Sequence, residues 1–248
     1  MKGARLWLFV AIAVAAAAGC IRLGVWQLSR LHQRRARNAL VISRLDSAEA
    51  DVTQLPHDTA EARFRRARVT GVADYAHELI YAARTHNGSP GVNLLTPVRI
   101  PGHDTAVLVN RGWIYAPDGA SVDQVRWRDT ATTFSGYAEE IPSVSGTAFA
   151  SKPNVISRLG YAAVSHALPY PVSPVYVVLL GDSVMRADKM ARLTVPPLDE
   201  GPHMSYAIQW FAFACVALGG AGIVITQSRR ERHHQHHGGA FDDNDAPD

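Results

Sequence analysis

Four residues at the start of a long apolar run have a spacing that cofactor chemistry needs. His203, Tyr206, Ala207 and Trp210 stand at i, i+3, i+4 and i+7, which puts them on one face of a helix. A second apolar run, near the N-terminus, closes on Gly24, Trp26, Gln27 and Arg30. An imidazole, flat aromatic surfaces and a guanidinium are the groups a tetrapyrrole uses, the imidazole as axial iron ligand and the guanidinium on a propionate. On that reading His203 is the metal ligand, and Tyr206, Trp210, Trp26, Gln27 and Arg30 complete a cofactor site. The same spacing also describes a plain helix pair, with Trp and Tyr anchored at a membrane interface and a hydrated His.

Other chemistry is thinly represented. There is no P-loop, no G-x-G-x-x-G, no H-E-x-x-H and no G-x-S-x-G, so nucleotide, metalloprotease and esterase functions have no support. His57, His77, His86, His103 and His166 fall in turns or near strand ends, where a solvated side chain is the simpler reading. Asn87-Gly88-Ser89 matches a glycosylation acceptor, and a hairpin tip explains it fully. The HHQHH run near the C-terminus offers imidazoles for a divalent metal, but a flexible tail gives them no fixed geometry. Cys20 and Cys215 both lie in the apolar runs, which removes any disulfide framework or Cys-x-x-Cys copper motif from the middle of the chain.

The elements that must position the first constellation are two membrane spans. Residues 205–227 carry no charge, and 23 residues reach about 34 Å at 1.5 Å each, enough for a bilayer. Tyr206 and Trp210 suit the aromatic belt at one end, and Arg229, Arg230 and Arg232 follow the other. The first span is read over residues 6–28, with Arg22 near enough to the end to snorkel. MKGAR and AAAAGC also resemble a cleaved signal peptide; the apolar pattern continues past Cys20, which favours an intact helix. Two spans put both termini on one side and residues 29–203 on the other, so segments 24–30 and 203–210 share one leaflet and are potential neighbours despite their separation in sequence.

Charge is distributed accordingly. Residues 1–44 carry eight Lys or Arg and no carboxylate, so the net charge of +3 reflects a cluster beside the first span, suited to anionic lipid rather than nucleic acid. Lys2, Arg5 and the Arg-rich end of the second span argue for cytoplasmic termini. Arg30, Arg34, Arg35 and Arg37 argue the reverse, but a long domain is translocated regardless of charge.

The middle of the chain reads as short β-runs over 65–73, 78–85, 92–100, 105–115, 131–139 and 174–181, with hairpin turns at 86–91 and 101–104. Residues 31–46 read as a helical continuation or a surface helix, 155–168 as a short helix and 195–198 as an extended approach to the second span. Val107, Leu108 and Val109 are candidate core. The expected fold is an α+β membrane protein: spans at 6–28 and 204–227 flank an antiparallel β-sheet or small β-barrel domain over 29–203, with short helices and a disordered His-rich, acidic tail over 228–248.

LGVWQLSR at 23–30, FRRARVTGVAD at 64–74, GVNLLTPVRI at 91–100, VLVNRGWI at 107–114 and GPHMSYAIQWFAFA at 201–214 occur in one order along the chain. In these stretches the chain resembles the surfeit-locus family of cytochrome c oxidase assembly proteins. The resemblance implies an extracytoplasmic domain in the bacterial plasma membrane with cytoplasmic termini. It also implies a non-enzymatic role in maturing oxidase subunit I beside other assembly factors, with transient binding or delivery of haem a. It makes His203 the foremost haem contact, matches Gly24, Trp26, Gln27 and Arg30 to the first motif, and leaves Gly112 and Trp113 as structural candidates. Arg22 and the His-rich tail are not part of the family pattern. The alternatives are a membrane scaffold that stabilises an oxidase subunit without touching haem, and an extracytoplasmic ligand-binding module. Self-association into a homo-oligomer is compatible with either.

Overall fold

The computed structural model describes residues 3–144 and 154–238. Along the chain run α1 (Gly3–Leu45), β1 (Ala50–Asp51), α2 (Thr59–Ala62), β2 (Arg66–Thr70), β3 (Val72–Ala73), β4 (Leu79–His86), β5 (Ser89–Arg99), β6 (Val107–Tyr115), β7 (Thr133–Glu140), β8 (Val155–Ile156), α3 (Tyr161–Ala167), β9 (Val175–Leu179) and α4 (His203–Gly238). They fall into two units, one of Met1–Ala39 with Leu198–Asp248 and one of Leu40–Pro197.

In the second unit local turn chemistry makes the hairpins. Asn87 and Gly88 take φ of +49° and +80°, the left-handed conformations that a two-residue turn between twisted strands requires, and they join β4 to β5. Gly102, at +78°, serves the turn between β5 and β6. All six β-runs expected from sequence appear as strands, the first broken at Gly71. That break matters: a β-carbon on Gly71 would lie 2.3 Å from the Arg99 carbonyl oxygen, so only glycine lets the chain pass there. On one side of it β2 pairs with β7, and on the other β3 pairs with β5. Together with the β7·β9, β9·β6 and β6·β5 pairings, this closes the ladder into a ring.

The sheet is mixed, not antiparallel as the hairpin signals implied. Pairs β1·β2, β4·β8 and β6·β9 are parallel. Hairpin signals specify only neighbours in sequence. β9 reaches its place between β6 and β7 after a connection of more than thirty residues, which can deliver a strand in either direction. The stretch 155–168 is likewise only partly helical. Its Val155–Ile156 start pairs with Ile80 and Tyr81 on the β4 edge, and the helix is Tyr161–Ala167.

Val107 and Val109 pack with Val69, Val98, Phe134 and Val177, while Leu108 packs with Leu79, Leu95, Ile156 and Val164. Successive residues of β6 thus face two different cores, and the strand is buried on both sides, which explains its unbroken apolar run.

In the first unit α1 and α4 are each long and apolar enough to cross a membrane. The helix continues through the Arg-rich 31–45 stretch. α4 runs to Gly238 rather than giving way to tail at 228, because extending an existing helix avoids the cost of nucleation. Residues 239–248 of the expected tail, and the side chains of the HHQHH run, lie outside the described residues.

Candidate functional site

The two long helices meet along a repeat of seven. On α1 a buried or half-buried row runs through Leu6, Val10, Ala13, Ala17, Cys20, Gly24, Gln27 and Leu31, separated alternately by four and three, with Leu28 half-buried beside it. On α4 the same alternation runs through His203, Ala207, Trp210, Ala214, Ala217, Ala221, Val224 and Ser228. A 3.5-residue period keeps one seam of each helix facing the other. Small residues dominate the seam and let the backbones approach. At Gly24 the approach is closest: a β-carbon there would sit 2.7 Å from the Phe211 ring.

Contacts fix the register. The His203 Nδ1–H donates to Gln27 Oε1 at 2.8 Å. Arg35 grips Glu200 through two parallel bonds of 2.8 Å, and the Asn38 amide donates to the Leu198 carbonyl at 2.7 Å. The hydrogen bonds and charge of Arg35 hold the Glu200 carboxyl below the usual carboxylate range. Position numbers fall on α1 as they rise on α4, so the helices are antiparallel, and segments 24–30 and 203–210 lie side by side.

With Gln27 Oε1 engaged at Nδ1, Nε2 is the ring nitrogen left without a hydrogen-bond partner among the described residues. Gly201, at φ +68°, lies beside that edge, where a β-carbon would come 3.6 Å from Nε2.

The other expected site residues are placed less favourably. Tyr206 is 46% exposed; Trp210 is half-buried on the seam and meets Phe213 edge to face at 6.0 Å. Trp26, 53% exposed, lines an outer groove of α1 instead of facing His203. The Arg30 guanidinium donates to Gln33 on its own helix at 2.8 Å. Of the expected constellation, the structure therefore brings Gln27 to His203, sets Trp210 on the same seam, and leaves Trp26 and Arg30 outside it.

Sequence reasoning overlooked a second cluster, in the other unit. Arg111, 1% exposed, is the extra residue of a bulge: Leu94 pairs with Gly112 and Leu95 with Asn110. Its guanidinium donates to the buried Glu78 at 3.1 Å, to Asp129 at 2.8 Å and to the Trp127 carbonyl. The Thr96 hydroxyl and the Gln124 amide also donate to Glu78. Burial alone would raise the Asp129 carboxyl, but the Arg111 charge, with hydrogen bonds to it, holds it below its ordinary value. Gly112, at φ +136°, has no room for a β-carbon, which would meet the Ala191 carbonyl oxygen at 2.5 Å. The Trp113 indole donates to the Arg84 carbonyl at 3.2 Å. A charged residue inside a valine-rich strand was the available signal, since such a group is buried only when paired.

Of the domain histidines, His77 bonds Asp74 at 2.8 Å, His86 donates to the Ser183 carbonyl at 2.7 Å, and His57 and His103 line a cleft with Thr53 and Ser173. Among the described residues no cluster of three metal-ligating side chains occurs.

Comparison with known proteins bears on these residues. The model of the SURF1 family matches residues 14–215, taking in the seam at Gly24, Gln27 and His203 as well as the Arg111 cluster. An uncharacterized SURF1-like protein of Mycobacterium bovis is 28% identical over 243 residues, covering 91% of this chain and 87% of the relative. A SURF1-like protein of Rickettsia felis is 24% identical, covering 78% of this chain and 86% of the relative.

Proposed function

Because the chain belongs to the SURF1 family, a family of cytochrome oxidase assembly proteins, we propose that it is a membrane-anchored, non-enzymatic assembly factor that holds haem a while oxidase subunit I matures. In this reading α1 and α4 cross the bacterial plasma membrane with both termini cytoplasmic, and the sheet domain is extracytoplasmic. The reading is carried by the His203–Gln27 pair at 2.8 Å, which joins two motifs of the matched region across 176 positions.

The residues present fit a haem through one donor. Gln27 holds the imidazole at Nδ1, and Nε2, on the edge beside Gly201, is the donor that would hold the iron. Haem a, when bound, supplies the iron that accepts this lone pair. On this reading Trp210, half-buried on the seam, shields the imidazole from water, and Arg30, which donates to Gln33, leaves it to reach a propionate. A single protein donor would hold the group less tightly than a site with more ligands, as release to subunit I requires.

Trp26 favours a second reading, because its ring lines a groove away from His203. In that reading the His203–Gln27 pair is a polar clasp that sets the helix register for a scaffold binding an oxidase subunit.

The full chain purified from haem-a-producing cells separates them. A Soret band that disappears in His203→Ala, and weakens in Gly201→Ala where a β-carbon covers the Nε2 edge, is the expected result. A wild-type chain without a Soret band, whose His203→Ala and Gln27→Leu variants nevertheless both lose oxidase assembly, would establish the clasp instead.

A further inference from the structure

Arg22 is an anomaly in α1. It stands inside the apolar 6–28 stretch, six residues or about 9 Å before its end, and among the described residues it makes no hydrogen bond or ion pair. A guanidinium in hydrocarbon has to find water or an anion. The groove beside it is lined by Arg22, Leu23, Val25, Trp26 and Ser29, and its volume of about 500 Å³ lies within the range of clefts that hold small molecules. Side chains on a helix lean toward its N-terminus, so the Trp26 indole leans back over the turn that carries Arg22, with Ser29 one turn further along the groove.

We propose that this groove is a binding site for one anionic phospholipid, with the headgroup phosphodiester on Arg22 and the glycerol and first acyl carbons against Leu23, Val25 and Trp26. The proposal rests on the membrane-spanning reading of α1 given above. Charge selects the occupant: Arg22 has no acidic neighbour within its groove, and Arg30, Arg34 and Arg37 on the next turns add positive potential where headgroups lie. The guanidinium fork matches two phosphate oxygens at once, the Ser29 hydroxyl is a further donor, and an indole is at home at the headgroup boundary. Arg35 does not join this field, being neutralised by Glu200. A carboxylate on a partner's helix is the competing occupant, but a groove open along one side of a single helix is shaped for a flexible chain.

The test is native mass spectrometry of the full chain, released from vesicles of equal phosphatidylglycerol and phosphatidylcholine and compared with Arg22→Gln and Arg34→Gln. The wild type should retain one phosphatidylglycerol in preference to phosphatidylcholine. Arg22→Gln should lower that preference about fivefold, the factor that one basic residue is worth near an anionic surface, and Arg34→Gln should lower it less. Equal retention of both lipids, or an Arg22→Gln variant that retains the anionic lipid as the wild type does, overturns the proposal. So does a protein partner lost with Arg22→Gln while the lipids are unchanged. Alkaline carbonate extraction of the same vesicles separates the two levels: release of the wild type sinks the spanning reading and this site with it, whereas retention without lipid preference sinks the site alone.

Discussion

Arg111 illustrates how a single side chain can hold a fold while contributing nothing visible to its surface. Its guanidinium ties Glu78 at the edge of β4 to the segment around Trp127 and Asp129, three pieces of chain that no hairpin connects. Removing it leaves the Glu78 carboxylate buried without a counter-ion, a loss of about 3–5 kcal/mol. Arg111→Leu should therefore lower the urea midpoint of the sheet unit strongly. The double variant Arg111→Leu, Glu78→Leu should be less affected than the single one, because the stranded charge is gone; equal midpoints for the two would show that the pair is not the source of the loss. The VNRGW stretch is plain in the sequence, but its glycine and tryptophan are the residues whose types stand out there. Arg111 was missed because its alternation with Val107 and Val109 is broken by the bulge, and a bulge depends on a partner strand that the local sequence does not name. The helical spacing of His203 is local and therefore readable from sequence, whereas which of Gly24, Trp26, Gln27 and Arg30 it meets depended on the fold, and it is Gln27.

At the scale of elements, the contrast lies between what is periodic and what is paired at a distance. The apolar length of both helices, the hairpin at Asn87-Gly88 and the β-runs of the domain all rest on neighbours in sequence, and they appear where the residues imply. The parallel strands β8 and β9 rest on long connections, and no turn residue announces them. The seam between α1 and α4 is intermediate, since its seven-residue repeat was present in the sequence but is hidden inside runs that are apolar on every side. The register of that seam is open to a direct check. In a background with Cys20→Ser and Cys215→Ser, the pair Gln27→Cys, His203→Cys should be bridged by a short bis-maleimide, as the two native side chains meet at their tips. The pair Trp26→Cys, His203→Cys should cross-link far more slowly, because Trp26 lines the outer groove. Equal yields from both pairs would mean that α1 is rotated from the seam described, and the single-donor haem site would fall with it.

For the molecule as a whole, the distribution of buried residues separates what folds from what anchors. Every member of the three apolar clusters lies between Leu40 and Pro197, and so do the Arg111 network and the ring of strand pairings closed through Gly71. The helices contribute instead a narrow seam and broad exposed apolar faces, including Trp7, Ile12, Phe213 and Val216. Such faces are stable only against lipid or another apolar surface, since burying them is what offsets the cost of leaving water. A fragment of residues 40–197 should consequently be water-soluble and keep the sheet, read as a cooperative urea transition with the β-type circular dichroism of the full chain. It should also lack any Soret band, because His203 and Gln27 are both outside it. A fragment that aggregates or unfolds without a transition would mean that the ring of strands depends on the two long apolar helices. That result would shift the source of stability from the closed ladder to the anchors, and the domain would have to be understood as assembled on the helices rather than carried by them.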